Sequence, residues 1–217
     1  MRQNLPRVFT YLFFTACAVG CTVLKGGWMN SQRGSTIAGK LAQFSYSDLF
    51  MQMETETLDA LWAEPDAASA LHHLVQASDA PPPVAFLAAE ILFAKEPGYP
   101  PSAERERLAS IYGAALEQNL TRMANPWGLP DQLDEPVAQH FVSLGENAVP
   151  VLTRLLENTS GVRYGGSREA TYGNSFQYRV KDLAAFYLSK IRGLPYEIKQ
   201  TPQERDIEIE RLKTSLK

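Results

Sequence analysis

The groups in this chain best suited to chemistry are two thiols, three imidazoles and a lysine that closes a glycine-bounded run. Their spacing limits each of them. Both cysteines, Cys17 and Cys21, fall within the first 21 residues, inside and at the end of an apolar stretch. Residues 22–217 have no thiol, so they can form neither a disulfide nor a cysteine zinc site. His72 and His73 are neighbours; on a helix they point about 100° apart and cannot share one ion as an i, i+4 pair would. One is expected to be partly buried and the other solvated. His140 has no acid or thiol nearby in sequence and reads as a helix-face residue. Gly34 to Lys40 fits GxxxxGK, but Leu41 replaces the hydroxyl residue that would bind magnesium. No apolar strand precedes it either, so the match is read as chance. No GxSxG elbow, HExxH helix or paired-cysteine spacing occurs. Glu90 is the one carboxylate set within an otherwise apolar helix, either solvated or a buried partner for Arg or His. The chain is read as non-catalytic, with no cofactor and no metal.

The thiols make better sense as part of an address. Arg2 and Arg7 form a basic start, Val8 to Val19 an apolar run, and Ala18, Val19 and Gly20 a small-residue approach to Cys21. This resembles the lipobox of bacterial lipoproteins, with Ala18 where that family favours leucine. The resemblance implies cleavage before Cys21 and acylation of its thiol. Phe14 to Cys17 forms a second box, but its use would leave Cys21, Val23 and Leu24 as an apolar tail. Two other readings stay open. Ala16-Cys17-Ala18 satisfies ordinary signal peptidase, which would release a soluble protein. Val8 to Leu24 is an uncharged stretch of 17 residues, at the lower limit for a retained membrane anchor. All three place the remainder outside the cytosol, on the lipid-anchored reading at the periplasmic face of a membrane in the cell envelope.

Of 217 residues, 45% are hydrophobic and 21% charged, a globular composition with chain enough for a core. Without residues 1–21 the chain carries 19 Lys and Arg against 24 Asp and Glu, a net charge of −5. That balance lacks the basic footprint of nucleic-acid binding, and no nucleic-acid partner is expected. Residues 22–46, rich in Gly, Ser, Lys and Gln, read as a flexible tether, and residues 47–217 as one α-helical domain. Helix starts are expected at Ser47-Asp48, at Ala67 (running to Gln76) and at Val84 (running to Lys95). Another is expected from Ser102 to about Met123, then a loop over Pro126 to Pro136. Val137 to Leu144, Asn147 to Leu156, about Phe176 to Ile191 and Pro202 to Leu216 come next, the last behind a Thr201-x-x-Glu204 capping box. No stretch alternates long enough to compel a strand.

Two of these segments repeat. Val84 to Leu92 matches Val180 to Leu188, each with paired alanines, Ala88-Ala89 and Ala184-Ala185, and each comes after an apolar helix. Gly145 to Leu156 with Val180 to Ile191 resembles a HEAT repeat, a helix opening on AVPxLxxLL and then one of VxxxAAxxLxxI type. The resemblance implies an α-solenoid of helical hairpins whose surfaces bind other proteins. It departs from the family at one place, where about twenty residues, Asn158 to Gln177, separate two helices that a short turn should join. This insert and the start of the next helix carry Arg163, Tyr164, Arg168, Tyr172, Phe176, Tyr178 and Arg179, the aromatics and forked cations typical of recognition surfaces. They are expected to contact another envelope protein, unless the tyrosines fold back to cap the solenoid. The function expected is an envelope-anchored binding or scaffolding module. The alternative is a small-molecule-binding or hydrolytic protein with its pocket between the helix pairs and the insert.

Overall fold

The computed structural model describes residues 37–51, 55–120, 126–165 and 169–216. The leader, Cys17, Cys21, Gly34 and Arg168 lie outside the described residues. Among the described residues the fold is all-α, with a single isolated bridge between Gly161 and Arg179. None of these helices is long and apolar enough to cross a membrane.

Residues 37–41 form a first helical turn, and Ile37 and Leu41 are buried in the core. The expected tether therefore yields to packed structure by Ile37 rather than at Ser47, because one i, i+4 apolar pair suffices to dock that turn. Lys40, the would-be phosphate-binding lysine, ion-pairs with Glu64 at 2.5 Å. Helix α1 (Tyr46–Phe50) is capped by Ser45, not Ser47, through a box with Asp48. A short α2 (Glu56–Trp62) leads to α3 (Ala67–Gln76), which has the bounds expected of it.

Helix α4 (Pro82–Lys95) starts on two prolines whose missing N–H groups cost nothing in a first turn. Every residue from Val84 to Leu92 is buried, as befits a helix that is apolar all round. It packs against α3 on one side and α5 (Arg105–Gln118) on the other. A 3-10 turn, Ser102–Glu104, precedes α5. The expected run to Met123 stops at Asn119, whose left-handed backbone (φ 52°) closes the helix.

Helix α5 also reaches the second half of the molecule. A β-carbon on Gly113 would collide with a Val151 methyl, so glycine is what lets α5 and α7 (Val149–Leu155) touch. Between them in sequence come α6 (Pro136–Ser143) and the 3-10 turn Gly145–Ala148. After α8 (Glu169–Phe176), helix α9 (Val180–Arg192) packs on α7, α6 and α10 (Pro202–Ser215). The four matched alanines, Ala88, Ala89, Ala184 and Ala185, are all fully buried, which fits their reading as close-approach residues. Helix α9 begins at Val180 rather than Phe176. Gln177 is left-handed (φ 53°), and Arg179 opens the new helix in a capping box with Asp182.

An aromatic spine links the two halves. Tyr46 meets Phe86, which meets Tyr112 and Trp127; Tyr112 meets Phe141, and Phe141 meets Tyr187, at centroid separations of 5.5 to 6.0 Å. Pairs at this range add to the stabilisation from area burial alone.

Candidate functional site

The insert is not a plain loop. Its second half winds into α8, although Thr, Gly, Asn and Ser make Glu169–Phe176 a poor helix by propensity. Tertiary contacts carry it. The Tyr164 ring lies so close to Gly173 that a β-carbon there would collide with it. Asn174 donates to the Tyr164 carbonyl at 3.2 Å, and the Tyr164 hydroxyl donates to the Gly128 carbonyl at 3.2 Å. The Tyr187 hydroxyl donates to the carbonyl of the preceding residue, Trp127. Two tyrosines from different elements thus latch consecutive carbonyls at the start of the 126–136 loop. Gly128 is left-handed there (φ 66°), a backbone that favours glycine.

The expected contact residues divide into two groups. Tyr164 is buried, and Arg179 is committed to the fold: its guanidinium donates to both Asp182 oxygens at 2.9 and 3.1 Å, to Asp206 and to the Pro202 carbonyl. Burial works against the Arg179 charge, but Asp182 and Asp206 outweigh it and hold its pKa above the ordinary value. Both side chains fasten the insert to the rest of the fold. Arg163 and Tyr172 face solvent, Phe176 is half-buried, and Tyr178 is buried on one side of a cleft.

Sequence reasoning missed Arg205. Its guanidinium, fully buried at 0% exposure, donates to the carbonyls of Lys199, Gln200, Phe176 and Gln177 at 2.8 to 3.2 Å. Its Nε lies 3.2 Å from Asp182 Oδ2, and its plane sits over the Tyr178 ring at 5.0 Å. Nothing in Arg205-Asp-Ile-Glu-Ile-Glu-Arg-Leu-Lys distinguishes this arginine from those on a solvated helix face.

From Arg205 a column of flat groups runs outward. Tyr178 stacks on Phe176 at 5.4 Å and Phe176 on Tyr172 at 5.7 Å, with interplanar angles of 15° and 12°. Tyr172, at 62% exposure, is the open end. The column lines a cleft of about 850 Å³ together with the 129–132 segment, Phe186 and Lys190 of α9, and the 196–200 segment. Burial, and next the negative charge of Asp131 across the cleft, push the Tyr178 phenol up to about 12. Such a surface can bind apolar, planar or cationic groups.

The histidines occupy two polar clusters elsewhere. His140 lies flat on Phe93 and its Nδ1 is 3.1 Å from Glu90, which also accepts from the Tyr112 hydroxyl. Glu90 is thus the buried partner of a histidine, 50 residues away in sequence and beyond the reach of spacing arguments. His72 has Glu104 2.8 Å from Nδ1 and Glu96 2.8 Å from Nε2, while His73 is exposed. Carboxylates on both ring nitrogens favour the imidazolium, in which both N–H groups donate. Among the described residues no three His, Cys, Asp or Glu side chains converge on a metal position.

The His72 clamp gives stability a defined pH dependence. Burial would lower the ring's pKa, but its hydrogen bonds to Glu104 and Glu96 prevail and hold it above 6.5. A raised folded-state pKa means that the clamp contributes fully below pH 6.5 and is lost as pH rises through the higher folded value. Melting temperature should therefore fall above about pH 6.5 in the wild type and fall less in His72→Gln. Equal slopes in the two proteins would show that the clamp carries no linkage.

Comparison with protein-family models, curated proteins and solved structures finds no match to this chain.

Proposed function

We propose that this chain is an envelope-anchored binding module whose helical domain holds a partner protein in the cleft between the insert, the 126–136 loop and α9. The observation that carries the reading is the stacked column ending in the exposed Tyr172. Large exposed rings on a pre-ordered surface bring contact area at low entropic cost, which is how binding hot spots are built. The module acts by binding rather than catalysis. Its anchoring rests on the leader and on acylation of Cys21; label from palmitate should disappear in Cys21→Ser.

The HEAT-like reading of the domain is supported by the close pairing of α3 with α4 and of α7 with α9, each second helix carrying the paired alanines. The insert lies between α7 and α9, where such a scaffold tolerates extra chain and uses it for recognition. The small-molecule alternative needs Tyr, Arg and a carboxylate to converge in one site; Arg163 faces solvent away from the cleft lining that holds Tyr172, and Arg168 lies outside the described residues.

Tyr172 tests the reading without endangering the fold. As an exposed side chain, its replacement by serine should change stability by no more than about 0.5 kcal/mol. As the outer face of the column, it should cost roughly tenfold or more in partner affinity. A photo-crosslinker at Gln132, on the opposite wall, reports occupancy in the producing cells. Undiminished crosslinking in Tyr172→Ser would remove the cleft from the function.

A further inference from the structure

The cleft's own contents say what kind of group it takes. Two cations already lie on its rings from inside the chain: Arg205 over Tyr178 and Lys190 over Phe186, each 5.0 Å from the ring centroid. Two rings of this region therefore already serve as cation surfaces. The outer end of the column, Tyr172, stacks on Phe176 and has no cation over it among the described residues. Across from the column stands Asp131, an exposed carboxylate whose side chain makes no hydrogen bond or ion pair among the described residues. Glu197, also on the lining, pairs with Lys199 at its own 73% exposure, an arrangement worth little and readily exchanged. An unpaired carboxylate facing a bank of aromatic faces is a site for a cation, with charge and ring quadrupole acting together. The planar guanidinium suits it better than an ammonium, because it can stack and donate a fork of hydrogen bonds at once.

We propose that the cleft receives an arginine side chain carried by an extended segment of the partner protein, its guanidinium stacked on the outer column and paired with Asp131. An extended segment can lay one side chain into a cleft lined by the 129–132 and 196–200 loops and by residues of α8 and α9, and a basic one suits the carboxylates Asp131 and Glu197 on that lining. The inference rests on the reading of the cleft as the partner site and adds the chemistry of what enters.

The test uses the full-length chain with a photo-crosslinker at Gln132, irradiated in the producing cells. Crosslinked peptides are released with a glutamate-specific protease, so that cleavage does not itself select basic ends. The expected result is a partner segment containing arginine at or next to the crosslinked residue. Asp131→Asn should lower the yield about tenfold and Asp131→Lys should abolish it, with melting temperatures unchanged because Asp131 is exposed. Mutating the partner's arginine to glutamate should restore capture by Asp131→Lys. A crosslinked segment without arginine, or a yield insensitive to both Asp131 variants, would overturn the cationic occupant while leaving the partner site in place. No crosslink at all in any variant would overturn both.

Discussion

Arg205→Ala should lower the free energy of unfolding by about 3–5 kcal/mol, the range seen when one member of a buried ion pair is removed. The size follows from what the guanidinium holds. Four carbonyls, those of Phe176, Gln177, Lys199 and Gln200, accept from it, and Asp182, itself fully buried, faces its Nε. With alanine the carbonyls lose their donors and Asp182 keeps only Arg179. Arg205→Lys should recover a minor part, since an ammonium restores the charge but cannot fork to carbonyls on two sides. Urea midpoints separate these outcomes, provided the m-value is unchanged. A loss below about 1 kcal/mol for alanine would mean that the network does not fasten the fold.

The location of the damage matters as much as its size. The carbonyls of Phe176 and Gln177 end the insert, and those of Lys199 and Gln200 end the far wall of the cleft. One side chain from α10 therefore bridges the two walls directly, beside the Arg179 contacts to Pro202 and Asp206. In Arg205→Ala, hydrogen exchange should quicken first in α8 and residues 194–200, while α4 stays protected. The inner end of the column is buried and ion-paired, while the outer end, Tyr172, is exposed and is the part that the proposed recognition would use.

This division explains what the sequence could reveal. Features carried by neighbouring residues were legible: Ala67–Gln76 from its proline and apolar spacing, the Thr201–Glu204 box of α10, and the alanine pairs that mark close approach. The insert was legible as an interruption, and Tyr172 as a ring within it. Features set by tertiary contact were not. Helix α8 has weak intrinsic preference and exists against Tyr164, which Gly128 in turn holds; the first turn at 37–41 hides in a Gly- and Ser-rich context. Arg205 sits among charged neighbours that mask it. The start of α9 was hidden for a related reason, since its cap is an Arg179-x-x-Asp182 box rather than the usual hydroxyl residue. Glu90 stood out because a charge in an apolar helix must be satisfied, but its partners, Tyr112 and His140, come from two other helices.

Trp127→Ala should cost a further large sum, about 3–5 kcal/mol, as large-to-small changes of aromatic core residues do. The ring is 1% exposed and lies among Phe86, Tyr112 and Phe141, from three different helices. Its carbonyl would still accept from Tyr187, because that bond belongs to the backbone, so the loss reports ring packing alone. Trp127→Phe should be far milder. The smaller ring leaves a partial void, but it also removes the indole N–H, which is buried with no acceptor among the described residues. Leaving such a donor unmet costs about 1–3 kcal/mol, comparable with the packing lost, so the two terms nearly offset. The cleft should show the same order, since Leu129 to Gln132 continue from the residues that Trp127 and the tyrosine latches hold. Denaturation midpoints and crosslinking from Gln132 should both fall steeply in Trp127→Ala and little in Trp127→Phe. If phenylalanine proved as damaging as alanine, the indole N–H would have a partner, and the ring would anchor the wall by a hydrogen bond rather than by its bulk.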